Sequence, residues 1–421
     1  MNAGPGKLIG KVGPTIIVAA VVLGPGSILT SSRVGADFGF PALGVLVLST
    51  FLMIGMVSLA ARLGVSYERS LCEELASRLG RGASFFVGLV LFLVVALFQS
   101  SNNLAIIAGL EPLTEDLGDG GLMKGTASRV AVLLVINLFV AFCLIRVRGL
   151  YSRIEGLMKF LVLIMIVAFT GNLIVVLFGE SHGGVDTGAA PGDRDLIPLL
   201  GMIATTFSVA GAFYQGYLVR EKGWKLSDWK RGLGDSIFGT LVLGTVTSFI
   251  LMTSVLTFHG RAEAVELKSV GDVARQLEPL FGKGAKVVFS LGIMAGALSS
   301  FLVNAVIGGT IFSDSLGKGW RLSDVMPRAL TCLALLIGMM VASWSLSGAS
   351  GTVTLITVAQ ALTVLGLPLL AAALLYLGTR KELTGEKKVP GWILGICSLG
   401  FLVACGLAVK TAVTVLEKLG S

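Results

Sequence analysis

Long apolar runs dominate this chain and limit what it can fold into. Eleven of them are long enough to cross about 30 Å of hydrocarbon as helices. They occupy residues 14–39, 42–61, 84–110, 129–145, 156–178, 197–219, 236–258, 286–311, 329–346, 352–378 and 391–415. With 54% hydrophobic and 14% charged residues, the sequence predicts an all-α integral membrane protein. The first run lacks the short apolar core and small-residue cleavage site of a signal peptide, so we expect a retained helix.

The net charge of +8 comes from basic clusters in the loops between these runs. Arg146, Arg148 and Arg153 follow the fourth run, whereas the loop at 111–119 is acidic. The positive-inside rule therefore predicts a cytoplasmic N-terminus and an external C-terminus in a plasma membrane, the inner membrane of a bacterium. A topogenic charge pattern predicts a lipid bilayer as the partner and no nucleic acid.

Two of the runs are interrupted. Gly24, Pro25 and Gly26 break the first run, and a stretch of small and hydroxyl residues at 201–212 breaks the sixth. Two broken helices five apart predict an inverted 5+5 repeat plus one helix, with a binding site where the breaks meet at the midplane. We expect one transmembrane domain, 1–421, with a first repeat at 1–180, a second at 181–380 and a last helix at 381–421. Alternatively, the small residues serve only close helix packing.

Several motifs then point to one family. Gly24-Pro25-Gly26-Ser27, the stretch from Gly35 to Phe40, Arg153-Ile154-Glu155, Leu298-Ser299-Ser300 and Ala359-Gln360 occur in the corresponding order. This pattern resembles the natural resistance-associated macrophage protein (Nramp) family of divalent-metal transporters. The resemblance implies a LeuT-like (APC) fold with eleven transmembrane helices here, and it implies that Gln360 approaches the substrate.

The same resemblance shows which family residues are replaced. Gly24 and Ser27 stand where the family has the Asp and Asn that bind metal, and Phe207-Ser208-Val209 aligns with its Met-Pro-His. Asn103 and Ile106 stand where the family carries the acids of its proton relay. The chain is therefore predicted to be a divergent branch without the usual metal site or proton relay, and we expect no bound metal or cofactor.

The remaining candidate site is neutral and polar apart from one arginine. Arg33 could hold a carboxylate in bidentate geometry, or it could pair with Asp37 or extend to the membrane interface. The substrate-binding residues predicted from the breaks and from the third and tenth runs are Gly24, Gly26, Ser27, Thr30, Ser31, Arg33, Asn102, Asn103, Thr205, Thr206, Phe207, Ser208 and Gln360.

These features predict a monomeric secondary-active transporter that works by alternating access. The absence of intramembrane histidines and paired acids argues against an enzyme. A dication at a midplane without carboxylates carries a penalty on the order of tens of kcal/mol before relaxation. We therefore expect an anionic or zwitterionic substrate, such as a di- or tricarboxylate like citrate, or another small polar metabolite. The alternatives are a divalent metal ion transporter with an atypical site for Mg²⁺ or Mn²⁺, and a non-transporting Nramp-like membrane sensor.

Overall fold

The computed structural model describes Val18, Met123, Val167, Leu267 and residues 23–114, 125–146, 169–178, 195–260, 269–348 and 352–420. Regular structure in these ranges is helical. The first half of the first run and most of the fifth run, including Arg153-Ile154-Glu155, lie outside the described residues. The helices are α1 Pro25–Phe38, α2 Pro41–Ser66, α3 Leu71–Leu79, α4 Arg81–Thr114, α5 Thr126–Arg146, α6 Phe169–Phe178, α7 Ile197–Thr206, α8 Val209–Glu221, α9 Trp229–Phe258, α10 Val270–Ala274, α11 Glu278–Phe281, α12 Ala285–Ser315, α13 Val325–Ser345, α14 Thr352–Leu362, α15 Leu367–Gly378 and α16 Gly391–Gly420.

The predicted helical membrane fold is confirmed. Among the described residues, nine helical segments are long and apolar enough to cross a membrane. They correspond to the predicted runs other than the first and the fifth. The break in the sixth run is observed between α7 and α8, and α1 begins directly after Gly24. The boundaries of the two repeats and the orientation of the termini stay predictions.

The helices differ from the predicted runs in two respects. Three short helices, α3, α10 and α11, lie in loops between runs, where nine, five and four residues cannot produce a membrane-length apolar signal. The tenth run, predicted as continuous, narrows to a 3₁₀ turn at Thr363–Gly366 before α15. Pro368 explains this change, because proline lacks an N–H and its ring clashes with the carbonyl four residues earlier.

The broken pair α7 and α8 lies at the centre of the bundle. In their most apolar 18-residue window, 94% of residues are buried, against 22% for α5 and for α16. The break in this pair is therefore enclosed by protein, and the neighbouring helices α1, α4, α12 and α14 surround it. Irregular backbone at membrane depth is tolerated in such a place because protein groups satisfy it.

Candidate substrate site

Helix α1 begins at the Gly-Pro-Gly break. Gly24 is extended, with φ −70° and ψ 177°, and Pro25 takes the first helical position, where its missing N–H costs nothing. The N–H groups of Ser27 and Ile28 both donate to the Gly24 carbonyl, at 3.0 and 3.3 Å. The start of this helix therefore has few free N–H groups.

The second break leaves backbone acceptors beside the same place. Phe207 and Ser208 leave the helical conformation, and the Ser208 hydroxyl caps α8 by accepting the N–H of Gly211 at 3.4 Å. The last carbonyls of α7 have no further helical turn to bond, and the C-terminal end of a helix is its negative end. Thr205 lies in this last turn and faces the space between the breaks.

Between the two breaks lies a small enclosed space, which we call the central cavity. Its volume is about 10 Å³, close to the space that one water molecule needs. The part of the lining that the structure describes contains no Asp, Glu, Lys or Arg. The lining residues are Gly24, Gly26, Ser27, Phe98, Asn102, Thr205, Ser208, Asn304 and Gln360.

Three hydrogen-bond donors around the central cavity are bonded to protein acceptors. The amide nitrogen of Gln360 donates to the Ser101 hydroxyl at 2.7 Å, and that of Asn102 donates to Gln99 Oε1 at 3.1 Å. The hydroxyl of Thr205 donates to the Met202 carbonyl at 3.0 Å. Each amide nitrogen carries a second N–H, so these side chains present both donors and oxygen lone pairs.

Among the described residues, two oxygens in the lining have no hydrogen-bond partner. These oxygens are Ser27 Oγ and Gln360 Oε1, and their residues are only 1% and 2% exposed to solvent. Leaving a buried polar atom unpaired costs about 1–3 kcal/mol. An amide oxygen can only accept, so a partner for Gln360 Oε1 must bring a hydrogen-bond donor or a positive charge.

The structure brings seven of the thirteen predicted site residues to the central cavity, and it places five of the other six on surrounding helices. Thr30 donates back to the Gly26 carbonyl at 2.7 Å, and Asn103 joins Gln99 and Asn137 in a chain of amides. Phe207 is fully buried, and its ring faces Gly400 of α16. Ser31 and Thr206 lie outside the lining, and their hydroxyls are buried without a hydrogen-bond partner among the described residues.

Arg33, the thirteenth, lies away from the central cavity. Its Nε is 3.8 Å from Asp37 Oδ2, one helical turn on, and its Nη1 donates to Thr354 Oγ1 at 3.2 Å. The expectation that Arg33 binds a substrate carboxylate is therefore not supported, and the alternative pairing with Asp37 is observed. The reason is rotational, because Arg33 and Ser27 are six residues apart and face different sides of α1.

Sequence reasoning missed three residues at this site. Asn304 and Phe98 line the central cavity, and Ser101 holds the Gln360 amide. Asn304 carried a usable signal, because an amide in the middle of an apolar membrane helix is costly unless it has a structural or functional role. Phe98 carried none, since a phenylalanine in a membrane helix is ordinary.

A second, wider cavity opens at the end of the bundle that the charge pattern predicts to be cytoplasmic. This vestibule has a volume of about 800 Å³. Tyr214 and Tyr217 of α8 face it, together with Thr310 of α12 and Trp320. Tyr67 forms part of its wall, where burial raises the pKa of the phenol to about 12 and its hydroxyl donates to the Leu377 carbonyl at 2.8 Å.

The sequence of this chain matches a known protein family and its named members. The family model for natural resistance-associated macrophage protein-like proteins, Nramp, matches residues 15–414. The divalent metal cation transporter MntH of Nostoc sp. is 25% identical, over 95% of this chain and 90% of its own length. MntH of Xanthomonas campestris pv. campestris is 24% identical, over 96% of this chain and 90% of its own.

Solved structures agree on the fold. The manganese transporter of Eremococcus coleocola, solved with an aromatic bis-isothiourea substituted compound, superposes with a TM-score of 0.70 at 17% identity. The match covers 99% of this chain and 97% of that one. Mhp1, a nucleobase-cation-symport-1 family transporter solved with bromovinylhydantoin bound, gives 0.61 at 12% identity, covering 96% and 91%. At these identities the likeness shows the fold alone, and it confirms the predicted LeuT-like architecture.

Proposed function

Since this chain belongs to the Nramp family, whose model matches residues 15–414, we propose that it transports a divalent metal cation across a membrane by alternating access. The cation binds in the central cavity through uncharged oxygen atoms. Relatives that align over more than nine-tenths of the chain carry the name divalent metal cation transporter, which supports this cargo.

One observation carries the proposal. Ser27 Oγ and Gln360 Oε1 lie in the lining without a hydrogen-bond partner among the described residues. An amide oxygen can only accept, so Gln360 Oε1 calls for a cation or a hydrogen-bond donor in the central cavity. These two oxygens can coordinate a cation without any carboxylate.

The ligand set suits a hard cation. Six lining side chains carry a neutral oxygen: Ser27, Asn102, Thr205, Ser208, Asn304 and Gln360. Amide, hydroxyl and carbonyl oxygens are ligands for Mg²⁺, Ca²⁺ and Mn²⁺, and octahedral oxygen coordination is typical of these ions. No sulfur ligand lies in the lining, so softer ions gain nothing here.

An uncharged site binds weakly. The affinity of oxygen sites for divalent cations rises with the number of charged ligands, and the weakest natural sites have a Kd of about 10⁻⁴–10⁻³ M. With no charge among its ligands, the central cavity belongs at this weak end. It therefore suits an abundant cation such as Mg²⁺ better than a scarce one, with Mn²⁺ as the second choice.

Three observations argue against an organic anion as the substrate. The central cavity holds about one water molecule in this arrangement, whereas a di- or tricarboxylate needs many times that space. Arg33 is held by Asp37 and Thr354 rather than at the cavity. The named relatives transport metal cations.

Transport in this proposal is not coupled to protons through α4. The residues that lead away from the central cavity are amides: Asn102 bonds Gln99, Asn103 bonds the Gln99 carbonyl, and Asn137 donates to Asn103 Oδ1 at 2.7 Å. Amides do not gain or lose a proton at physiological pH, so this chain of bonds cannot act as a relay. The cation gradient and the membrane potential then drive uptake.

Uptake by the purified protein in liposomes tests the proposal. We expect the wild type to take up Mg²⁺ and Mn²⁺ with millimolar or high-micromolar half-saturation, and Ser27→Ala to raise that value several-fold because one ligand is lost. Ser49→Ala is the matched control, since Ser49 is also buried but bonds the Val45 carbonyl of its own helix. Uptake of labelled citrate without uptake of either cation would overturn the proposal, as would the absence of any uptake by well-folded protein.

A further inference from the structure

A buried acid lies behind the vestibule, outside the central cavity. Asp314, near the end of α12, is fully buried. The hydroxyl of Tyr217 donates to its Oδ2 at 2.6 Å and in turn accepts the N–H of Cys72 at 3.3 Å. Because Tyr217 also lines the vestibule, its ring separates Asp314 from that water-accessible space.

Asp314 has no cationic side chain bonded to its carboxyl group among the described residues. Arg81 of α4 is close, but its Nη1 reaches the backbone carbonyls of Asp314 and Ser315 at 3.5 Å. From α3, Glu73 contributes a second negative charge nearby and Cys72 a buried thiol. The hydroxyl of Ser70, at the start of α3, also interacts with the carboxyl group, and within hydrogen-bond distance Oδ1 has no partner among the described residues.

We propose that Asp314 is a proton-binding site that latches α8 to α12 at the inner mouth of the protein. An ionised carboxylate buried without an ion pair is costly, and binding a proton removes that cost. In the buried arrangement the group is a carboxylic acid. Oδ1 carries the proton and Oδ2 accepts the hydrogen bond from Tyr217.

In this structure the vestibule has a volume of about 800 Å³ with the Tyr217–Asp314 bond formed, and a further movement of α8 removes these conditions. When α8 moves away from α12, Tyr217 leaves Oδ2 and water reaches Asp314, which then releases its proton to the vestibule. The proton returns from the same side when the bond forms again, so no proton crosses the membrane. The acid form exists only in the latched arrangement, so low pH on the vestibule side favours the latched arrangement and higher pH favours its release, by at most about tenfold per pH unit for one proton.

The protonation itself is independent of the cargo, whereas its effect on transport rests on the proposed function. Infrared spectroscopy of the purified full chain tests the first part. We expect the carbonyl stretching band of a buried carboxylic acid at pH 5.5, lost in Asp314→Asn and retained in Asp324→Asn, a matched exposed acid of the neighbouring loop. Tyr217→Phe should shift the same band, because its hydrogen bond is removed while the ring stays. Identical bands in the wild type and Asp314→Asn, with no shift in Tyr217→Phe, would overturn the proposal.

Transport at equal pH on both sides of the membrane tests the second part. We expect wild-type cation uptake to rise several-fold from pH 5.5 to pH 7.5. At every pH, Asp314→Asn should take up cations at about the rate that the wild type shows at pH 5.5. Asp324→Asn should show the same pH dependence as the wild type. A wild type that transports cations with the same pH profile as Asp314→Asn contradicts the latch. A wild type that transports no cation contradicts the proposed function instead, and the infrared bands then decide on Asp314 alone.

Discussion

Gln360 closes the central cavity against Gly26, and the contact leaves no room for a methyl group. A Cβ placed on Gly26 would lie 2.1 Å from Gln360 Nε2 and 2.7 Å from its Cδ. The glycine is therefore needed for close approach of α14 to the start of α1. Its φ is not the reason, since the positive-φ glycines lie elsewhere.

Gly26→Ala should damage transport more than folding. The clash is with the end of a flexible side chain, so the chain can fold with Gln360 displaced, but the displaced amide loses its place in the lining. We expect the half-saturation for Mg²⁺ or Mn²⁺ to rise about tenfold, in line with the loss of groups that orient metal ligands. Gly44→Ala is the control, because a Cβ there meets no atom within 4 Å. Equal half-saturation in the two variants would contradict this role of the glycine.

Restoring the family's metal ligands should tighten binding. Gly24 has a φ of −70°, which any L-residue adopts, so Gly24→Asp combined with Ser27→Asn is compatible with the backbone. A carboxylate beside the central cavity adds a charged ligand, and we expect the half-saturation for Mn²⁺ to fall at least about tenfold. Uptake assays across Mn²⁺ concentrations measure it. Unchanged half-saturation in a folded variant would indicate that cations bind elsewhere.

For single residues, the sequence predicted which side chains near the breaks are polar better than it predicted where those side chains point. The polar residues near the breaks were identifiable because amides and hydroxyls are unusual in apolar helices, and five of them line the central cavity. Arg33 was misplaced, because its side of α1 depends on how the helix rotates against α9 and α14. A substituted helix break also does not reveal which polar atoms of the lining keep no hydrogen-bond partner in the folded chain.

Among the helices, α1 and α9 form a tightly packed seam at the end opposite the vestibule. A Cβ on Gly35 would lie 2.6 Å from the Leu251 carbonyl oxygen, and the Ser254 hydroxyl donates to the Ser32 carbonyl. The amide of Gln276, beyond α10, donates to Ser32 Oγ at 2.9 Å. These contacts close that end of the pathway while the vestibule stays open.

Gly35→Ala should destabilise this seam. Because the clash is with backbone rather than with a flexible side chain, α1 and α9 must move apart, and overpacking of this kind costs about 1–3 kcal/mol. Thermal unfolding of the purified protein should show a lower Tm. Gly395→Ala in α16 is the control, since its Cβ meets nothing within 4 Å. A Tm equal to that of the control would mean that the seam is looser than described.

Helix positions were predictable wherever the apolar signal was long, and were missed where it was not. The runs at 42–61 and 286–311 are observed as Pro41–Ser66 and Ala285–Ser315. The short helices α3 and α10 lack a membrane-length pattern, yet α3 supplies the Cys72 N–H that holds Tyr217. The chemistry at the inner mouth was invisible in the sequence because it depends on three helices meeting.

The whole molecule should move net positive charge without moving protons across the membrane. A dication that crosses with neutral ligands carries its full charge, which is worth about 4.6 kcal/mol per 100 mV. We therefore expect uptake into liposomes to accelerate with a negative-inside potential and to leave the internal pH unchanged. A potassium diffusion potential and an internal pH dye measure both. Proton flux in fixed ratio to cation uptake would contradict uncoupled transport.

The overall architecture followed from the sequence because family motifs spanned most of the chain, and the comparisons confirm it. The cargo did not follow, because the carboxylate expected of a metal site is absent and six neutral oxygens stand around the central cavity instead. Their combined effect depends on geometry that no single motif contains.

The most direct test of the uncharged cation site is a crystal structure of the protein with Mn²⁺, using the anomalous signal of the metal. We predict an anomalous peak inside the central cavity, coordinated by Ser27 Oγ and Gln360 Oε1 among its ligands, and its loss in Gly26→Ala. A peak confined to surface carboxylates, with the central cavity holding water or an organic molecule, would contradict the account.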